Sequence, residues 1–213
     1  MAESSQSGLA VFAAPVVLPT SILIIDGTNI EARCREGFGR DDIDFRRFFA
    51  KVAAATRLLH THYFTAPFSR RSDPQRLAEQ SGRFNVLKAM PNTTLHLGRY
   101  QAREVRCREC GHVYTGFTEK GTDVAAAVSL IDAAIRRRAE QLFLLAGDND
   151  YLPAVRLARA EGVKVIVGSV ISPHEHKHGQ LMAIADLRHN CDRYFEIDQG
   201  FMDDCWRPAK PGK

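Results

Sequence analysis

The sequence has no long apolar run, no strong net charge and no dense cysteine pattern, and each absence removes a class of function. The most apolar stretch near its start, Leu9 to Leu18, is broken by Pro15 and preceded by no Lys or Arg. It lacks the charged start of a secretory leader, and it is too short for a bilayer, which takes about 20 apolar residues. Residues 1–20 therefore read as an extended arm that packs on the domain or a partner or stays loose in solution, and no membrane partner is expected. The cysteines number five, an odd count with only Cys107 and Cys110 closely spaced. That excludes a secreted disulfide framework and points to a reducing cytoplasm. There is no internal repeat or low-complexity block. With a net charge of only +4, charge alone does not mark a nucleic-acid binder.

What is present suits one domain. A chain of 213 residues that is 45% hydrophobic and 25% charged can bury a sizeable core. Of its 29 basic residues 22 are Arg. The planar guanidinium fork matches phosphate oxygens, although a genome rich in G and C would produce the same excess.

Ser21 to Ile25 is a short apolar, β-branched run that stops at Asp26-Gly27, the pattern of a strand buried on both faces. Leu142 to Leu145, stopping at Gly147-Asp148, and Val163 to Val167 read the same way. Weaker strands are expected at His62 to Ala66, Thr93 to Leu97 and Tyr194 to Ile197. Between them lie helical patterns: Phe45 to Leu59, Asp73 to Gly82, Leu152 to Ala160 before Gly162, and Gln180 to Leu187. Another opens at Thr122-Asp123, with Val124, Val128, Ile131 and Ile135 as its apolar stripe. Arg103 to Phe117 reads as a hairpin turning at Cys107-Arg108-Glu109-Cys110-Gly111. Strands alternating with helices predict an α/β fold, a parallel sheet flanked by helices with a small Cys-containing hairpin insertion. Its domain is expected to span residues 21–200, with 201–213 as a tail.

Right-handed crossovers place every strand C-terminus on one edge, where ligands bind in open α/β sheets. Asp26 and the pair Asp148 and Asp150 follow two of the strong strands, and Asp123 opens a helix on the same edge. Any one of these alone would pass for a strand terminator or a helix cap. Four carboxylates together repel one another unless a cation neutralises them, and Mg²⁺ or Mn²⁺ takes oxygen ligands of this kind. One or two such ions can activate a water for phosphodiester displacement.

Three segments carry a resemblance: Ile25-Asp26-Gly27-Thr28-Asn29, Glu119-Lys120-Gly121-Thr122-Asp123-Val124, and Gly147-Asp148-Asn149-Asp150-Tyr151. Their order and spacing resemble the NYN domain, a branch of the PIN-like nucleases, over about Ser21 to Ile197. The resemblance implies a Rossmann-like fold and a metal-dependent endoribonuclease. Asp26, Asp123, Asp148 and Asp150 would hold Mg²⁺ or Mn²⁺, and Asn29 would orient substrate or a metal-bound water. Asp186 resembles a late acid of the family, or is a surface helix residue. Where the family often has Ser before Gly-Asp, this chain has Ala146, which removes a hydroxyl but no ligand. Some NYN domains have no demonstrated cleavage, so a catalytically silent RNA-binding or regulatory module is the alternative.

Asp26-Gly27-Thr28 is also similar to the haloacid dehalogenase phosphatases. Their nucleophilic Asp would fall at Ile24, which cannot form an aspartyl-phosphate, and Leu152 breaks their second acidic motif. Lys120, one cation beside four acids, is expected to order the cluster or touch the scissile phosphate. Cys107 and Cys110 supply two of the four ligands of a structural zinc, with His112 a possible third, or are simply two free thiols. Arg103, Arg106 and Arg108 would contact phosphates from the hairpin. His174, His176 and His178 fall in a loop expected to border the groove. The expected partner is RNA, and a homo-oligomer joined by the arm or by a shared zinc is compatible with the sequence.

Overall fold

The computed structural model describes residues 17–68, 73–172, 181–182 and 184–208. Six strands form one parallel sheet: β1 (Thr20–Asp26), β2 (Arg57–Thr65), β3 (Thr93–Leu97), and, after a hairpin of β4 (Arg99–Arg106) and β5 (Val113–Lys120), β6 (Gln141–Leu145), β7 (Lys164–Val170) and β8 (Arg193–Ile197). The spatial order is β3-β2-β1-β6-β7-β8. From β1 the chain winds outward through β2 to β3, then returns to β6 beside β1 and winds the other way. The order therefore reverses between β1 and β6, whose pairing runs from Ser21 opposite Gln141 to Ile25 opposite Leu145.

Side chains alternate across a strand, so β1 feeds both faces. Leu23 and Ile25 join one core with Phe45, Phe48, Phe49, Tyr63 and Trp206, while Ile22 and Ile24 join the other with Leu130, Val155 and Ala158. Helices α1 (Gly27–Phe38) and α2 (Phe45–Val52) cover the first face; α4 (Thr122–Ile135), α5 (Leu152–Ala160) and α6 (Ala185–Asn190) cover the second. Helix α3 (Pro74–Ala89) connects β2 to β3. It is capped by the Asp73 carboxylate and runs past the expected Gly82. Arg83 on α3 lies buried between Glu31 of α1 (3.3 Å) and Asp41 (3.2 Å), and Tyr63 of β2 donates to Glu31 at 2.7 Å. No helix among the described residues is long and apolar enough to cross a membrane.

The Phe45 helix ends at Val52, and Leu58 and Leu59 belong to β2. Their apolar character serves a strand face, which a 3.6-residue count absorbs by coincidence. On α4 most of the expected stripe is turned outward: Val124 is 64% exposed and Val128 58%, with Ile135 exposed as well, while Ile131 packs against the second core. The face on the sheet is Ala126, Leu130, Ala133 and Ala134, where the three alanines let the helix lie close and Leu130 fills the core. The hairpin spans Arg99 to Lys120, longer than the expected 103–117. The chain beyond residue 200 is not a tail as far as Trp206. Helix α7 (Gln199–Met202) and the turn after it bury Met202, Cys205 and Trp206 in the first core, and Trp206 bridges to Ile43.

Candidate active site

The turn from β1 into α1 is made by Asp26. Its carboxylate caps the helix, accepting the Asn29 backbone N–H at 3.0 Å, and also accepts the Tyr151 hydroxyl at 2.9 Å. Burial raises the Asp26 carboxyl from its ordinary 3.8 to about 6. The two hydrogen bonds hold it down, while Glu119 and Asp123 push it further up. So Asp26 is both a helix cap and one wall of a charged pocket; the two readings of it are not exclusive.

That pocket has a volume of about 260 Å³ and is lined by Asp26, Thr28, Asn29, Ala32, Glu119, Thr122 and Asp123. Thr28 and Asn29 are in the first turn of α1, Thr122 and Asp123 in the first turn of α4. Asp123 makes no capping bond, because Gly121 occupies the cap position. Thr122 and Thr28 both donate to the Glu119 carboxylate, the latter at 3.0 Å. Asp148 and Asp150 follow β6 on an exposed turn, where Asp148 accepts the Asp150 backbone N–H at 3.0 Å. The Tyr151 hydroxyl lies in the combined field of Asp26, Asp123 and Asp148, which together with burial raises its own ionisation far above the ordinary phenol value.

Asn29 Oδ1 is buried with no hydrogen-bond partner, and it packs against Gly147, where an added Cβ would come within 2.9 Å of it. Only glycine leaves room for the amide beneath the end of β6. Ala146 points into the second apolar core, and its carbonyl accepts the Ser169 hydroxyl. The position that often holds Ser in the family is therefore a core position here.

Asp26, Asn29 and Asp123 thus share one pocket, Asp148 is joined to it through Tyr151, and Asp150 borders an adjoining apolar hollow with Asp123 and Tyr151. Lys120 lies apart from the acids. It lines a different hollow with His96 and Arg99, whose lining includes none of the four acids, while Glu119 faces the pocket. Neighbours on a strand point to opposite faces, so only one of the pair can serve the cluster. Glu119 and Tyr151 were the residues the sequence reading missed. Both lay inside the motifs, and the alternation of β5 was the available signal for Glu119. Arg103, Arg106 and Arg108 are exposed along the hairpin and at its tip, outside the pocket lining. Asp186 is exposed in the first turn of α6. The three His of the loop after β7 lie outside the described residues.

None of Asp26, Glu119, Asp123, Asp148 and Asp150 forms an ion pair with a Lys, Arg or His among the described residues. Nor does any set of three or more His, Cys, Asp or Glu side chains among them close around a point as a metal cage does. The acids frame a pocket instead. The donor set is all oxygen, and with the orphaned Asn29 amide it fits Mg²⁺ or Mn²⁺, ions that keep several waters and take only one or two carboxylates directly.

The sequence matches the profile of the NYN domain over residues 20–198. The chain belongs to the NYN domain family. That family is nuclease-like and places the chain in the PIN-like nuclease superfamily. Among curated proteins no match was found. Among solved structures, a protein of unknown function from Vibrio parahaemolyticus shares the fold, with a TM-score of 0.61 at 18% identity over 89% of this chain and 99% of that one. Within the matched span, the segment 25–29 supplies Asp26 and Asn29 to the pocket and the segment 119–124 supplies Glu119 and Asp123, while Tyr151 of the segment 147–151 bonds Asp26.

Proposed function

We propose that this NYN domain is a metal-dependent endonuclease that hydrolyses phosphodiester bonds, with RNA as its substrate. The observation that carries the reading is a water-accessible pocket walled by carboxylates that have no cationic partner among the described residues, flanked by the N-termini of α1 and α4. The acids call for a cation, and helix N-termini favour an anion. A divalent ion together with a phosphate satisfies both demands.

Asp26, Asp123, Asp148 and Asp150, with Glu119 beside them, would hold Mg²⁺ or Mn²⁺. When bound, the ion supplies an activated water and neutralises charge on the leaving oxygen. The chain's own groups do the positioning. Tyr151 and the Asn29 N–H fix the Asp26 carboxylate, and the Thr28 and Thr122 hydroxyls fix Glu119. The Asn29 amide oxygen is free to accept a bond from substrate or an ordered water. Beside the pocket, and sharing Thr28 and Ala32 with it, is a cavity bordered by Phe68, Tyr100 and Arg76. Phe68 and Tyr100 stack at 5.1 Å, and aromatic and guanidinium planes of this kind suit unpaired bases.

The test is cleavage of single-stranded and structured RNA, and of matched DNA, with Mn²⁺ or Mg²⁺ and with chelator. We expect ion-dependent cleavage, with Asp26→Asn lowering the rate at least about a hundredfold, as loss of a group central to metal catalysis does. Cleavage that survives Asp26→Asn refutes the site. RNA binding without cleavage makes the domain a silent RNA-binding module, and preferential cutting of DNA corrects the substrate.

A further inference from the structure

The hairpin lies outside the parallel sheet, and its far end, roughly 20 Å of strand away from Glu119, takes no part in the acidic pocket. The tip is a tight turn. Gly111 N–H donates to the Cys107 carbonyl at 3.0 Å, and Cys107 N–H donates to the His112 carbonyl at 2.8 Å. Gly111 adopts φ +70°, which carries the chain out of the turn where a side chain would be strained. Cys107 and Cys110 flank this turn, three positions apart, Cys107 half-buried and Cys110 exposed. The turn thus carries both cysteines at the Cys-x-x-Cys spacing of one half of a structural zinc site. This is what a metal knuckle needs before its metal arrives.

The ligand count decides the rest. Cys107 and Cys110 are free, and among the described residues no third His, Cys, Asp or Glu joins them. His112 stacks on Tyr114, with ring centroids 6.4 Å apart and planes 12° from parallel, and does not complete the set. A structural zinc takes four ligands, and thiolates are those it holds best among soft donors. The tip is exposed, and Val113 and Tyr114 beside it are 45% and 50% exposed. Two apolar residues per chain fall far short of the about 800 Å² per partner of a standard interface, so contact between two tips would depend on the metal.

We infer that Cys107 and Cys110 are half of a tetrathiolate zinc site, completed by the same pair from a second copy of this chain. Closing it releases four thiol protons as four Zn–S bonds form, with no change of oxidation state. The two acidic pockets would then sit at opposite ends of a hairpin-to-hairpin bridge. The symmetry is two-fold, so each tip meets its own copy.

The experiment uses the full reduced chain, stripped of metal, then given zinc alone or cobalt as a spectroscopic stand-in. Light scattering after size exclusion and metal analysis should give a dimer holding one zinc per two chains, returning to monomer with chelator. The cobalt form should show thiolate charge-transfer bands and the ligand-field pattern of four sulfurs. Cys107→Ser and Cys110→Ser should each abolish metal uptake and the dimer while leaving far-ultraviolet circular dichroism unchanged. Asp26→Asn should leave the zinc count intact, separating this site from the acidic pocket. One zinc per monomer, no uptake by reduced thiols, uptake that survives the Cys variants, or a dimer that survives chelation would each overturn the inference.

Discussion

Asp26 is held in a state the unfolded chain does not share. Its folded value of about 6 lies above the ordinary 3.8, so the folded state binds the proton more tightly. Stability contributed by that proton is present at low pH and is lost as pH rises through about 6. At pH 7, without a divalent ion, the buried carboxylate is a cost of up to about 3 kcal/mol, from about 1.4 kcal/mol per pKa unit. Asp26→Asn should therefore raise the urea midpoint of metal-free protein at pH 7 by the equivalent of about 1–3 kcal/mol, with the gap closing toward pH 4. A variant no more stable than wild type at pH 7 would mean that the charge is not buried as described. The acid was legible in the sequence because it ends an apolar strand. Its partner Tyr151 was not, since nothing in a one-dimensional string says which hydroxyl reaches across 125 positions.

At the scale of elements, the strands were read well and the helix faces less so. Continuous apolar runs fixed β1, β6 and β7, because burial on both faces leaves no polar position to confuse the pattern. On α4 the sequence points to Val124, Val128, Ile131 and Ile135, but the buried face is Ala126, Leu130, Ala133 and Ala134, with only Ile131 of the expected stripe packed against the core. The Glu31–Arg83–Asp41 group ties α3 to α1 under the pocket, and it was invisible as spacing because its members are up to 52 positions apart. Arg83 and Glu31 are almost fully buried. Removing one partner leaves an unpaired buried charge, so Arg83→Met should cost about 3–5 kcal/mol in urea unfolding. A loss below about 1 kcal/mol would show the group to be energetically idle.

For the whole molecule, the α/β class and the family were readable from motif order, whereas the end of the domain was not. Only the fold shows that Met202, Cys205 and Trp206 fill the core beneath α2, and that Lys51 binds the Phe201 carbonyl at 2.7 Å. A chain cut after Ile197 loses all of these. Losing a buried Trp alone costs about 3–5 kcal/mol against a total stability of about 5–15 kcal/mol. The truncated chain should show no cooperative thermal transition by circular dichroism, and a transition near that of the full chain would restore the shorter boundary.

The pocket gathers residues 26, 29, 119 and 123, and Tyr151, from a third stretch, bonds the Asp26 carboxylate. During synthesis, a nascent polypeptide that has emerged only as far as the hairpin has Asp26 but no β6 beside it, and hence no Tyr151 to hold the carboxylate. The Tyr151 contact forms only when the sheet closes across β1 and β6, so under the proposed function an incomplete copy released early would be inert toward nucleic acid.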